Sequence, residues 1–259
     1  GLGHTGGTVD KIEALKGFQT EISAKFFEKY LKKHNIVLCG QSQDIAPVDK
    51  VFYSIRDVTS TVSSIPLITA SIMSKKLAEG AAGYVLDVKC GNGAFMENLK
   101  DARALAKSLV KTGRGFDKKM FSVITDMNSP LGHCIGNANE VKECVKVLQG
   151  DGPKDITEVS LYLAGAMIYL ADLSTDLDKG ILLAEKMISS GKAFETFTNM
   201  IERQGGDISQ ITNLSKLKEA SETLTVKAPE DGFIKNIDTK SLGYYLIDLG
   251  GGRQKTTDS

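Results

Sequence analysis

The sequence carries no net charge: across its 259 residues, 32 Lys and Arg are matched by 32 Asp and Glu. Without a global positive field the chain has no general means of holding nucleic acid or an anionic membrane, and only a local basic site remains open. Paired cysteines are also lacking. Cys39, Cys90, Cys134 and Cys144 form no C-x-x-C motif and are spread over most of the chain. Neither a zinc site nor a disulfide framework is indicated, and four reduced thiols in a cytosolic protein are expected. The most apolar stretch, Leu161 to Ala171, is too short to span a bilayer and ends at Asp172. No signal-like segment, internal repeat or low-complexity tract is visible. The three histidines, His4, His34 and His133, give neither metal-ligand spacing nor a Ser-His-Asp or Cys-His constellation.

What is present is an ordinary globular composition, 41% hydrophobic and 25% charged, with 26 glycines. Length alone fits one large domain or two small ones. Short apolar runs predict strands at Ile36–Cys39, Tyr84–Lys89 and Met120–Ile124. Helical periodicity is seen over about Asp10–Ala14, Ile22–Lys33, Glu97–Lys111, Glu140–Leu148, Thr157–Ala171 and Gly180–Ser190. The stretch from Arg56 to Glu79 reads as two helical pieces, the second capped by Ser63 or Ser64 with Pro66 in its first turn and closed by Gly80 or Gly83. Strands and helices alternate through the middle third, which predicts an α/β fold with a largely parallel sheet. After about Ser221 the pattern changes. Leu224–Ala228 and Gly232–Ile237 read as a hairpin-like pair across Pro229-Glu230-Asp231-Gly232, the start of a β-rich portion. The chain opens inside a glycine cluster and closes on Gly252-Arg253-Gln254-Lys255, so it is expected to be part of a larger polypeptide.

Four segments have the residue types that chemistry needs. Gly1-Leu2-Gly3-His4-Thr5-Gly6-Gly7-Thr8 can turn consecutive backbone N–H groups toward one anion, with Thr5 and Thr8 adding hydroxyls; it equally suits a plain glycine turn. Arg56, Ser71 and Lys75 follow. Ser71 and Lys75 lie four apart and share a helix face, beside an uncharged run from Thr59 to Ser74; a lysine there either snorkels to solvent or serves a site. Lys89-Cys90-Gly91-Asn92-Gly93 sits at the carboxyl end of a predicted strand, where α/β sheets bind ligands. Pro130–Ala138, followed by Glu140 and Glu143, could cage a hard cation with carbonyls and one carboxylate, or simply cap the next helix.

Together these strings resemble the thymidine phosphorylase and pyrimidine-nucleoside phosphorylase family. The resemblance is carried by residues 1–8, by the long string Arg-Asp-Val-Thr-Ser-Thr-Val-Ser-Ser-Ile-Pro-Leu-Ile-Thr-Ala-Ser-Ile-Met-Ser-Lys-Lys at 56–76, and by Leu-Asp-Val-Lys-Cys-Gly-Asn-Gly-Ala-Phe-Met at 86–96. Pro-Leu-Gly-His-Cys-Ile-Gly-Asn-Ala at 130–138 and Leu-Gly-Gly-Gly-Arg at 249–253 complete it, in order and over essentially the whole chain. The family's Lys-His-Ser-Thr-Gly-Gly phosphate string has no counterpart in these residues.

The resemblance implies reversible phosphorolysis of thymidine, deoxyuridine or uridine to the free base and a pentose 1-phosphate. It implies a large α/β lobe with a mostly parallel sheet, helices contributed to a smaller all-α lobe, and the start of a β-rich C-terminal region. In these residues the lobes would map as 1–50 and 83–220 for the α/β lobe, 51–82 for small-lobe helices and hinge, and 221–259 for the C-terminal part. Arg56, Ser71 and Lys75 fall on base-binding positions, with Arg56 and Lys75 in the catalytic role. Tyr53 falls on a neighbouring aromatic position, Asp49 on an active-site carboxylate and Thr8 on a phosphate contact. Leu131 and Cys134 through carbonyls, and Glu143 through its carboxylate, fall on a site that holds a monovalent cation or calcium in some relatives. No organic cofactor is implied. Phosphate is the co-substrate, the partners are small molecules, and a cytoplasmic homodimer binding neither nucleic acid nor membrane is expected. Two other readings stay open: a phosphoribosyltransferase of the same two-lobe architecture, and a non-catalytic nucleoside-binding fragment.

Overall fold

The computed structural model describes residues 7–40, 46, 48–49, 52, 55, 59, 61 and 63–249. They divide into two compact units. One is built from residues within 1–40, 128–154 and 191–259, the other from residues within 41–127 and 155–190.

The second unit contains the sheet. Strand β1 (Gly83–Cys90) pairs in parallel with β2 (Lys119–Asp126), in register from Gly83 opposite Lys119 to Cys90 opposite Asp126. Parallel neighbours need a crossover, and helix α4 (Leu99–Gly115) provides it. Asn98 caps that helix by accepting a hydrogen bond from the Asp101 N–H at 2.9 Å. Alternation along the strands turns Tyr84, Val88 and Met120 toward Ala102, Leu105 and Leu109 of α4, with Met73 and Met96 closing the cluster. Gly113 lets the helix lie close to β2: a Cβ there would sit 2.2 Å from the Met120 sulfur.

Helix α3 (Ile65–Ala78) joins the same cluster through Met73, Ile65, Ile68, Ile72 and Leu77. It begins as expected, with Ser64 at the N-cap and Pro66 in the first turn, and its end is followed by Gly80 at φ +75°. The other helical piece expected before it falls mostly outside the described residues. Helices α6 (Lys154–Leu170) and α7 (Leu177–Ser189) complete this unit. They cross at glycines: a Cβ on Gly180 would lie 2.4 Å from the Gly165 carbonyl oxygen.

In the first unit, α1 (Thr8–Ile12), α5 (Asn137–Gln149) and α8 (Lys192–Arg203) enclose Ile12, Leu15, Val141, Val145, Met200 and Ile201. Helix α2 (Ala24–His34), the short α9 (Ser209–Thr212) and α10 (Thr239–Asp248) belong to this unit too. Ile36–Cys39, expected as a strand, is not one. No strand lies beside it among the described residues, and a side chain takes the ladder's place. Buried Gln204 accepts from the Leu38 N–H at 3.0 Å and donates to the carbonyls of Leu38 and Gln19.

The expected hairpin is likewise not formed. Leu224–Ala228 and Gly232–Ile237 carry no strand pairing, and Leu224, Val226, Phe233 and Ile234 are exposed. A lone two-stranded hairpin is marginal in water, and nothing described here covers its apolar row. The α/β class with a parallel sheet stands, and no strand of the β-rich C-terminal start is seen among the described residues. Among the described residues no helix is long and apolar enough to cross a membrane.

Candidate active site

The charge pattern of α3 sets up the first site. From Ile65 to Ser74 the helix has no charged residue, so one face can sink into the apolar cluster through Met73 while Thr69 bonds Ser108 at 2.9 Å. The hydroxyl of Tyr84 donates to the carbonyl of Lys76 and ties the end of the helix to the start of β1. Ser71 and Lys75, one turn apart, remain on an accessible face, with Lys75 Nζ 3.4 Å from Ser71 Oγ. The same Nζ lies 2.6 Å from Asp49 Oδ2. The lysine side chain is 31% exposed and the aspartate only 9%. A carboxylate that is largely out of water needs such a partner. The structure therefore brings Asp49, Ser71 and Lys75 together. Arg56 and Tyr53 lie outside the described residues.

Thr8 lies in the other unit, as the first residue of α1. The N–H of Gly7 donates to Asp10 Oδ2 at 3.1 Å. The rest of the glycine cluster, Gly1 to Gly6, lies outside the described residues.

Leu131, Cys134 and Glu143 belong to the loop before α5 and to that helix. Glu143 is 3% exposed. Its Oε1 accepts a hydrogen bond from the His133 N–H at 2.7 Å. A Cβ at Gly132, where φ is +75°, would lie 2.2 Å from its Oε2, so only glycine lets the loop fold over this carboxylate. Burial, and then the negative charge of Glu143, push the Cys134 thiol above its ordinary value. No lysine or arginine forms an ion pair with Glu143 among the described residues. The loop thus meets this carboxylate with a backbone N–H, and among the described residues no three His, Cys, Asp or Glu side chains gather to hold a metal ion. The adjoining cavity, about 530 Å³, is lined in part by His133, Cys134, Lys142, Glu143 and Lys146. Spacing did not choose between Glu140 and Glu143, and Glu143 was singled out by the family resemblance; the positive φ of Gly132 is revealed only by the fold.

The Gly91-Asn92-Gly93 turn behaves differently. Gly91 N–H bonds the Met96 carbonyl at 3.0 Å and Gly93 N–H bonds the Met127 carbonyl at 2.9 Å, so these two donors are spent within the fold. Beside it stands a polar triangle that sequence reasoning missed. Lys89 Nζ is 2.7 Å from Asp87 Oδ2 and 2.9 Å from Thr125 Oγ1, which donates to Asp87 Oδ1 at 2.5 Å. The i, i+2 spacing of Asp87 and Lys89 was its only local signal.

Comparison with known proteins converges on one family. Residues 1–194 match the family described as glycosyl transferase family, a/b domain. The chain is 46% identical over 258 residues to the pyrimidine-nucleoside phosphorylase of Staphylococcus epidermidis, covering 100% of this chain and 60% of that relative. It is 46% identical over 253 residues to the pyrimidine-nucleoside phosphorylase of Geobacillus stearothermophilus, covering 98% and 58%. For the Staphylococcus aureus protein of the same name the identity is 44% over 258 residues, covering 100% and 60%. The chain thus spans about 60% of the length of the curated relatives it matches. With most of its residues inside the matched region, this chain belongs to the glycosyl transferase family, a/b domain.

Proposed function

We propose that the protein is a pentosyltransferase that cleaves pyrimidine nucleosides with phosphate, reversibly, giving free base and pentose 1-phosphate. Thymidine and deoxyuridine are the expected substrates, with uridine as a further one. The observation that carries this reading is the 46% identity, over the whole of this chain, to relatives named for that activity. The geometry at α3 is compatible with it. In phosphorolysis a phosphate oxygen attacks the anomeric carbon, the C–N glycosidic bond breaks, and the base leaves with the bonding pair. Negative charge then grows on the ring nitrogen and the base carbonyl oxygens. A lysine ammonium and a serine hydroxyl 3.4 Å apart can donate to adjacent acceptors on one base edge. Donors that interact more strongly with the departing base than with the bound nucleoside accelerate the reaction.

On this reading Lys75 and Ser71 face the base together with Arg56 and Tyr53, Asp49 belongs to the same site, and Thr8 contacts phosphate. Leu131, Cys134 and Glu143 would hold a monovalent cation or calcium, which would neutralise Glu143 and brace its loop. The working protein is a cytoplasmic homodimer of two-lobed subunits, and it uses no organic cofactor. The test is release of thymine and uracil from thymidine and uridine, with and without phosphate. Phosphate-dependent release is expected. Consumption of phosphoribosyl diphosphate without nucleoside phosphorolysis would overturn the reading.

A further inference from the structure

Two lysines stand side by side at the end of α3 and make opposite choices. Lys76 pairs with Glu79 of its own chain turn, at 2.8 Å, with both side chains more than a third exposed. That is a surface pair of the kind that contributes little. Lys75 turns instead to Asp49, far away in sequence and held almost out of water. A buried carboxylate is costly to maintain unless its partner is in place. The pair therefore constrains both ends, and the end that reaches solvent is the lysine.

We propose that Asp49 is a positioning residue that acts through Lys75 rather than on the substrate. The assignment rests on the reading above and deepens it. An ammonium has three N–H donors and no acceptor. One is directed to Asp49 Oδ2 at 2.6 Å, and a second has Ser71 Oγ within 3.4 Å. Among the described residues none accepts from the third, which can serve an acceptor arriving from outside. A four-carbon side chain without such anchors samples many rotamers and presents its charge diffusely. Fixed at two points, Lys75 presents one donor in one direction before the base arrives, and pre-set donors cost no reorganisation as charge develops. Ionised Asp49 only accepts hydrogen bonds, so direct contact with base carbonyl oxygens that are gaining negative charge would be repulsive.

The test is a double-mutant cycle in the intact protein, with Asp49→Asn, Lys75→Gln and the pair, read as kcat and KM for phosphorolysis. Asp49→Asn is expected to lower kcat about tenfold or more while KM changes little, and to cost less than about twofold once Lys75 is already Gln. Asp49→Glu keeps the charge and is expected to recover part of the loss. Lys76→Gln should leave kcat/KM within about twofold of the wild-type value, separating this pair from its exposed neighbour. Equal losses from Asp49→Asn in both lysine backgrounds would mean that Asp49 serves the fold alone and would overturn the assignment, as would an Asp49→Asn protein as active as wild type. A wild-type protein without phosphate-dependent release would overturn only the phosphorylase reading. The same cycle, read as uracil affinity by calorimetry, then decides the role of Asp49: non-additive losses support it and additive ones refute it.

Discussion

Three segments in this chain share a strand-like pattern and meet different fates. Tyr84–Lys89 becomes the middle of β1, hydrogen-bonded along its length to β2. Ile36–Cys39 forms no strand and is held at Leu38 by the Gln204 side chain. Leu224–Ile237 has the same apolar rows and finds no partner among the described residues. Local pattern is common to all three; what differs is whether another element lies in place to receive the apolar row. Beside β1 that element is α4, whose Ala102, Leu105 and Leu109 form the floor on which the strand residues sit. Strand preference thus behaves as a fit to a half-buried surface rather than as a property of the backbone alone.

The largest effect should come from removing that floor. Leu105→Ala leaves a cavity under Tyr84, Val88 and Met120 and is expected to destabilise the protein by about 2–5 kcal/mol in urea unfolding. Next comes Gly113→Val, which forces bulk toward the Met120 sulfur and should cost about 1–3 kcal/mol. The middle case is broken at its side chain. Gln204→Leu keeps the volume but leaves the N–H and C=O of Leu38 without their partner, with an expected loss of about 1–3 kcal/mol. Faster amide exchange confined to residues 36–40 would show that the loss is local; unchanged exchange there would mean that Gln204 does not hold this segment.

Much of the fold was legible because period and punctuation agree within a short window. Ser64 and Pro66, and the apolar run Tyr84–Lys89, each signal their element locally. Helix α8 carried the same kind of signal in Phe194, Phe197, Met200 and Ile201, which share one face, yet it was not read. The bond between Gln204 and Leu38 could not have been read, since it joins positions with no sequence relation until the first unit packs. The site divides in the same way. Ser71 and Lys75 follow from helical spacing. The partnership of Asp49 with Lys75 depends on tertiary placement, and Asp49 entered only through a family resemblance. The loop over Glu143 turned on the positive φ of Gly132, a backbone property that one glycine among 26 does not advertise.

The smallest expected effect sharpens the comparison most. Phe233 is 102% exposed, as open to solvent as in an unfolded chain. Phe233→Ser therefore removes no buried area and should change unfolding free energy by less than about 0.5 kcal/mol. The same kind of change under β1 removes several contacts at once. If Phe233→Ser instead costs more than about 1 kcal/mol, the residue is covered in the folded protein, and the apolar row of Leu224–Ile237 has found a surface after all. Proteolysis near Lys235 distinguishes the two cases. An open segment is cleaved at the rate of an unstructured peptide, and a covered one is protected in proportion to the stability it contributes.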